Sequence, residues 1–179
     1  RGVDTELFKP RPKSFLDAPR PISLYVGRVA VEKNLPAFLD MDIPGTKYVV
    51  GDGPAFDSLS AKYPDVVFTG YKKGEELAQY VAAADVFVFP SLTDTFGVVL
   101  LEAMACGVPV AACTVTGHIS VVQHGLTGIL DKDLKTATLK ALEIDPEKCR
   151  SFAEKYSWKR CTEQFVQHLA ISSQPLTAH

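Results

Sequence analysis

The chain has 179 residues, 46% of them hydrophobic and 22% charged, and a formal net charge of -2. That length suffices for one soluble α/β domain and is too short for two. The near-neutral balance, with no basic block, excludes recruitment of nucleic acid by a global field, and no apolar run reaches the roughly 18 residues of a membrane span.

Four cysteines, Cys106, Cys113, Cys149 and Cys161, form no CxxC pair and stand at no metal-ligand spacing from a histidine. They read as idle thiols in a reducing compartment. No signal-peptide pattern is present, and the chain opens on Arg1 rather than Met. We therefore expect an excised piece of a longer protein, cytoplasmic or peripheral to the inner face of a membrane.

Residues 1–20 are rich in Pro, Lys and Arg without a period of strand or helix, and read as a linker or extended arm. Residues 21–179 then alternate short apolar runs with amphipathic stretches. Strands are predicted at Ile22–Gly27, Lys47–Gly51, Val66–Thr69, Asp85–Phe89, Val108–Ala112 and Thr127–Leu130. Helices are predicted at Asn34–Asp40, Ala55–Lys62, Glu75–Ala84, Val98–Ala105, Ile119–His124, Leu134–Leu142, Pro146–Tyr156 and Trp158–Leu169. The run DVFVF is apolar almost throughout and should be covered on both faces. Strand and helix alternating at this spacing give βαβ units, hence a Rossmann-like parallel sheet of about six strands with helices on both faces. Right-handed crossovers bring every strand-to-helix loop to one edge of such a sheet, where ligands bind.

Four segments fall at that edge. Gly27-Arg28 ends the first strand, and Lys33 follows five residues after Arg28. Two cations there either grip a diphosphate, Arg as a fork and Lys as a point charge, or are simply solvated. Gly51-Asp52-Gly53-Pro54 lets the backbone turn tightly and come close to another group, or is a plain β-to-α turn. It is not the GxGxxG of a dinucleotide site, which argues against a dehydrogenase. Phe68-Thr69-Gly70-Tyr71 offers backbone groups and a ring to a planar base, or only packs. Lys72 and Lys73 read as a solvated turn.

The longest pattern runs from Pro90 to Val110. Asp94 lies in its loop and Glu102 on the next helix, with the helix start at Phe96, Gly97 and Val98 between them. A helix start binds phosphate through its free N–H groups. Gly97 to Glu102 is about 7.5 Å of helix rise. Acid, phosphate cradle and second acid then match the sugar, diphosphate and ribose diol of a nucleoside diphosphate sugar. Asp94 is otherwise a helix cap. Glu102, flanked by Leu100, Leu101, Ala103 and Met104, is an acid in an apolar helix that needs a partner.

These segments resemble, in order, the C-terminal domain of the retaining GT-B glycosyltransferases of group 1, or family 4. The resemblance rests on Asp94 and Glu102 as an acid-x7-acid pair, with Thr95, Phe96, Gly97 and Val98 inside it. Gly27, Arg28 and Lys33, the Gly51-to-Pro54 turn, Val66 to Gly70 and Gly125 to Gly128 also match. Arg1 to Pro10 resembles the segment that crosses between the family's two domains. The wording is similar to bacterial GDP-mannose-dependent α-mannosyltransferases.

The resemblance implies a nucleotide-sugar-binding domain that lacks its N-terminal acceptor domain, through which any membrane contact would be made. It implies transfer of a hexosyl group from GDP-mannose or a UDP-sugar, with configuration kept and no metal or cofactor beyond the donor substrate. Asp94 would act on the sugar. Gly27, Arg28, Lys33, Gly51, Gly53, Pro54, Tyr71, Thr95, Phe96, Gly97, Val98 and Glu102 would hold the donor. The first acid is Asp rather than the family's usual Glu, which draws its carboxylate back by one methylene. The loop from Thr116 to Val121 lacks the family's Gly-Gly and Pro-Glu, leaving His118 either beside the sugar or on the surface. A non-catalytic nucleotide-binding module, and an epimerase or hydrolase, are the rival readings on the same fold.

Overall fold

The computed structural model describes residues 2–92, 97–114, 121–158 and 162–163. Among them six strands form one sheet: β1 (Ile22–Val26), β2 (Thr46–Val50), β3 (Val67–Gly70), β4 (Val86–Phe89), β5 (Val110–Cys113) and β6 (Gly128–Asp131). Their order is β3-β2-β1-β4-β5-β6, and every neighbouring pair is parallel. This is the doubly wound order, in which the chain reverses direction across the sheet between β1 and β4. A crevice opens at their carboxyl ends.

The helices are α1 (Leu35–Leu39), α2 (Phe56–Lys62), α3 (Gly74–Ala83), α4 (Val98–Ala105), α5 (Leu134–Ala141) and α6 (Pro146–Glu154). The period-2 alternation of each strand divides the core between two faces. Ile22, Leu24, Phe87, Phe89 and Val110 pack with α3, α4 and α6. Tyr25, Val49, Val86, Val88 and Ala111 pack with α1 and α5. All four residues of β4 are buried, as expected for a central strand covered on both sides.

Two helix starts carry side-chain caps. Asp133 accepts from the amides of Lys135 and Thr136, and Asp145 from that of Glu147, with Pro146 opening the helix. The predicted helix over Ile119–His124 is corrected by the structure: within its described part, Val121 to His124, there is no helix. Thr127 Oγ1 accepts from the Gln123 amide, and Gly125, at φ 78°, turns the chain so that its amide reaches the Gly128 carbonyl. The Gln123 amide is thereby spent on that turn, and the Gln123 carbonyl accepts from Leu126 and Thr127. Of the predicted helix Trp158–Leu169, all but residues 158, 162 and 163 lies outside the described residues.

The opening segment is packed down rather than extended free. Val3, Phe8 and Leu16 are buried. Val3 exchanges backbone bonds with Tyr156 and Trp158, and this pairing draws the chain out of helix after α6. At the other edge of the sheet Asp85 pins residues 13–20. Its carboxylate takes Lys13 Nζ at 2.9 Å, Arg20 Nη1 at 2.7 Å and the Ile22 amide at 2.7 Å. Burial acts to raise the Asp85 pKa, but the Ile22 amide and the two cations outweigh it and hold the carboxyl below its ordinary value.

A carboxylate with a depressed pKa stabilises the fold above its unfolded pKa, and that stability is lost as pH falls through the folded value. Asp85→Asn is therefore expected to cost about 1.5–3 kcal/mol near neutral pH, the scale of charge-assisted hydrogen bonds. Urea unfolding across acid pH should show the gap to wild type closing. A gap that is constant down to strong acid would contradict the ionic role.

Candidate functional site

The loops after β1 and β2 are built as one unit. Gly27 N–H donates to Val50 O and Val29 N–H to Asp52 O, and Ala55 N–H returns to Val29 O. The parallel ladder thus continues beyond the strands. Arg28 sits between two bonded neighbours, and its carbonyl accepts from the buried Tyr25 hydroxyl at 2.9 Å. Its side chain is exposed. The backbone is fixed while the guanidinium is free for a ligand. Lys33 ends the 3-10 turn Val31–Lys33, half-buried. Asn34 follows in the left-handed region, at φ 53°, and its Nδ2 donates to Pro90 O at 3.2 Å. That bond ties the β1 loop to the end of β4 across the crevice.

A cavity of about 570 Å³ opens at this edge, within the size range of small-molecule sites. Gly27, Arg28, Gly51 and Asp52 form its floor, and Glu102 of α4 closes one side. The turn from Tyr71 to Gly74 forms another wall, with the Tyr71 ring 71% exposed at the mouth. Lys72 reaches Glu76 at 2.6 Å, while Lys73 is exposed at the start of α3. The remaining wall is apolar and comes from Leu7 and Phe8 of the opening segment, with Leu77 of α3.

Glu102 is the electrostatic anomaly. Its helix neighbours Leu101 and Ala103 are fully buried, and among the described residues no hydrogen bond or ion pair reaches its carboxylate. Burial pushes the Glu102 carboxyl above its ordinary range. An acid held half-buried without a partner, facing a cavity, is poised to accept hydrogen bonds from a guest. Gly97 caps α4 without a side-chain bond, and the first N–H groups of any helix have no partner within it.

Of the sequence-predicted residues, Gly27, Arg28, Gly51, Tyr71 and Glu102 meet on this cavity. Gly53 and Pro54 lie in the turn behind it, where a Cβ on Gly53 would stand 2.3 Å from Val29 O. Lys33, Gly97 and Val98 are at the same edge of the sheet but off the cavity wall. Asp94, Thr95, Phe96 and His118 lie outside the described residues. Sequence reasoning missed Leu7 and Phe8, though both are apolar residues in an otherwise polar arm. It also missed that Lys72 and Lys73 line the cavity.

Cys106 and Cys149 are buried, which pushes each thiol up to about 12 and leaves neither as a ready nucleophile. Among the described residues no group of three or more His, Cys, Asp or Glu is placed to hold a metal ion. No described helix is long and apolar enough to cross a membrane.

The sequence profile of the family described as Glycosyl transferases group 1 matches residues 20–143. Sulfoquinovosyl transferase SQD2 of Arabidopsis thaliana is 36% identical over 90% of this chain and 37% of its own length. A GDP-mannose-dependent alpha-mannosyltransferase of Corynebacterium glutamicum is 33% identical over 95% of this chain and 46% of its own. The chain therefore spans less than half the length of these relatives. Among solved structures, Anabaena Alr3699/HepE in complex with UDP superposes with a TM-score of 0.78 at 23% identity, over 94% of this chain and 56% of that one. Sucrose-phosphate synthase from Thermosynechococcus elongatus superposes with a TM-score of 0.72 at 30% identity, over 96% and 52%.

The lone Glu102 carboxylate has a stability signature. A carboxyl with a raised folded pKa favours the fold at low pH, and that contribution is lost as pH rises through the folded value. Glu102→Gln is therefore expected to raise the melting temperature of the ligand-free chain near neutral pH. The difference should vanish below about pH 4, where the unfolded carboxyl is protonated too. Thermal unfolding at a series of pH values checks it. A variant less stable than wild type at neutral pH would mean that the carboxylate has a partner.

Proposed function

The chain belongs to the group 1 glycosyl transferases, and from that premise we propose that it is the nucleotide-sugar-binding domain of a retaining, family 4 enzyme of GT-B architecture. The observation that carries this reading is the pairing, on one cavity, of the exposed Arg28 guanidinium with the Glu102 carboxylate, which no described residue bonds. A nucleoside diphosphate offers both complements at once: anionic oxygens for the cation and a ribose diol for the acid. Tyr71 and the turn that follows it would take the base.

In this proposal the reaction makes its charge at the departing diphosphate. Arg28, Lys33 and the start of α4, gathered at one edge of the sheet, would neutralise it. Asp94 would face the sugar at the opposite end from Glu102, and the sugar would leave with its configuration kept. Acceptor binding belongs to a second, N-terminal domain, consistent with relatives about twice as long as this chain. The transferred group is a hexose. The donor is assigned as GDP-mannose on the strength of relatives named for it at 33% and 36% identity. A UDP-sugar is the alternative, and the preference of the isolated chain for GDP or UDP separates the two.

Arg28→Ala and Lys33→Ala are each expected to weaken nucleoside diphosphate binding roughly 10- to 100-fold, as for a lost charge-assisted hydrogen bond. Calorimetric titration with GDP and UDP reads this directly, and GDP should bind more tightly. Wild-type affinity in both variants would remove the diphosphate from these two cations.

A further inference from the structure

Arg150 lies on α6, away from the cavity wall, yet its guanidinium joins two of the cavity's sides. Nη1 donates to Phe8 O at 2.9 Å, Thr5 O at 3.2 Å and Ala105 O at 2.8 Å, and Nη2 donates again to Thr5 O at 3.2 Å. Nε is turned to Glu154 on its own helix at 2.8 Å. Thr5 and Phe8 frame the bend that presents Leu7 and Phe8 to the cavity. Ala105 is the last residue of α4, three positions beyond Glu102. One guanidinium nitrogen, Nη1, therefore spans the apolar wall and the helix that carries the acid, with Nη2 doubling the bond to Thr5 O.

Without that cation, three carbonyl oxygens from two segments would face one another with no donor between them. Mutual repulsion and the need for water would push them apart. A lysine replaces it poorly, because its ammonium ends one bond short of the Nη1 position and it lacks the Nη2 and Nε donors that make the second bond to Thr5 O and hold Glu154. The bend has a second support at its start. Asp4 Oδ1 accepts from the Glu6 and Leu7 amides at 3.0 Å each, and Phe8 N–H returns to Asp4 O at 2.9 Å.

We propose that Arg150 is a positioning residue for nucleotide binding: by bracing the 5–8 bend against the end of α4, it sets the distance between the Leu7–Phe8 wall and the Glu102 carboxylate. The inference rests on the nucleotide-binding reading above. It extends that reading to a residue that touches no ligand, about fifty positions beyond the acid it positions. The ligand class is a ribonucleoside diphosphate, whose ribose must fit between the wall and the acid.

The test is calorimetric titration of the chain with GDP and UDP and with their 2′,3′-dideoxy analogues. Arg150→Lys is expected to weaken the ribonucleotides roughly tenfold, the scale of a lost charge-assisted hydrogen bond, and the dideoxy analogues much less. In a Glu102→Gln background the Arg150→Lys loss should largely disappear, because there is no longer an acid to misplace. A purely structural role would lower the melting temperature while leaving the ribose selectivity unchanged and the two losses additive, and that result would overturn the proposal. Should Arg150→Lys fail to fold, Asp4→Ala frees the same bend from an exposed site. It is expected to show the same ribose-selective loss, and wild-type binding by it would equally overturn the proposal. Wild-type chain that binds neither GDP nor UDP would sink the nucleotide reading itself, and this inference with it. Wild type that binds while both variants match it would sink the inference alone.

Discussion

At the carboxyl edge of the sheet two backbone loops touch, and the geometry of the cavity depends on that contact. A Cβ on Gly51 would stand 1.8 Å from the carbonyl oxygen of Gly27, so no other residue can occupy position 51 with the loops as they are. The register that pairs Val26 with Val50 runs on through bonds from Gly27 and Val29 to the β2 loop. The loops are thereby a continuation of the sheet rather than a pair of mobile connections. Arg28 inherits that rigidity at its backbone. The backbone part of the ordering cost is thereby met in advance, and only the rotamers of the exposed side chain remain to be fixed on meeting an anion.

The opposite side of the cavity is maintained at a cost to the fold. A solvated glutamate on the outer face of α4 would be harmless, whereas Glu102 is half-buried beside fully buried neighbours, and no described residue bonds its carboxylate. Natural domains rarely keep such a group unless a ligand completes it. The same logic separates Glu102 from Asp85. Both are partly buried acids, but Asp85 is surrounded by its own cations and an amide and so supports the fold. One acid is satisfied from within the chain; no described residue satisfies the other.

The fold was legible in the sequence because its signal is local and repeated. The VFVF of β4, the Gly that ends β1 and the Pro-led α6 each announce themselves within a few residues, and parallel crossovers then fix where the loops go. That Arg28 and Glu102 meet at one edge was legible for the same reason: one follows a strand-ending glycine and the other interrupts an apolar helix. What was hidden is what arises from distant pairing. The opening segment looks like a polar arm, and only its docking against Tyr156, Arg150 and, through Arg11 and Glu75, α3 makes Leu7 and Phe8 a cavity wall. The residues from Val121 to His124 have helical periodicity, but the Thr127 hydroxyl and the Gly125 turn take their backbone bonds elsewhere. In both cases tertiary contacts decided what local propensity left open.

The central claim is that the Glu102 carboxylate, which no described residue bonds, accepts from a ribose diol. Its most direct test is to titrate wild type and Glu102→Gln with a ribonucleoside diphosphate and with the 2′,3′-dideoxy form of the same nucleotide. The account requires the substitution to weaken the ribonucleotide by about one order of magnitude, as for lost hydrogen bonds to a charged acceptor, and to leave the dideoxy form nearly unaffected. Equal losses for the two nucleotides, or none for either, would contradict it and leave the half-buried acid without a ligand.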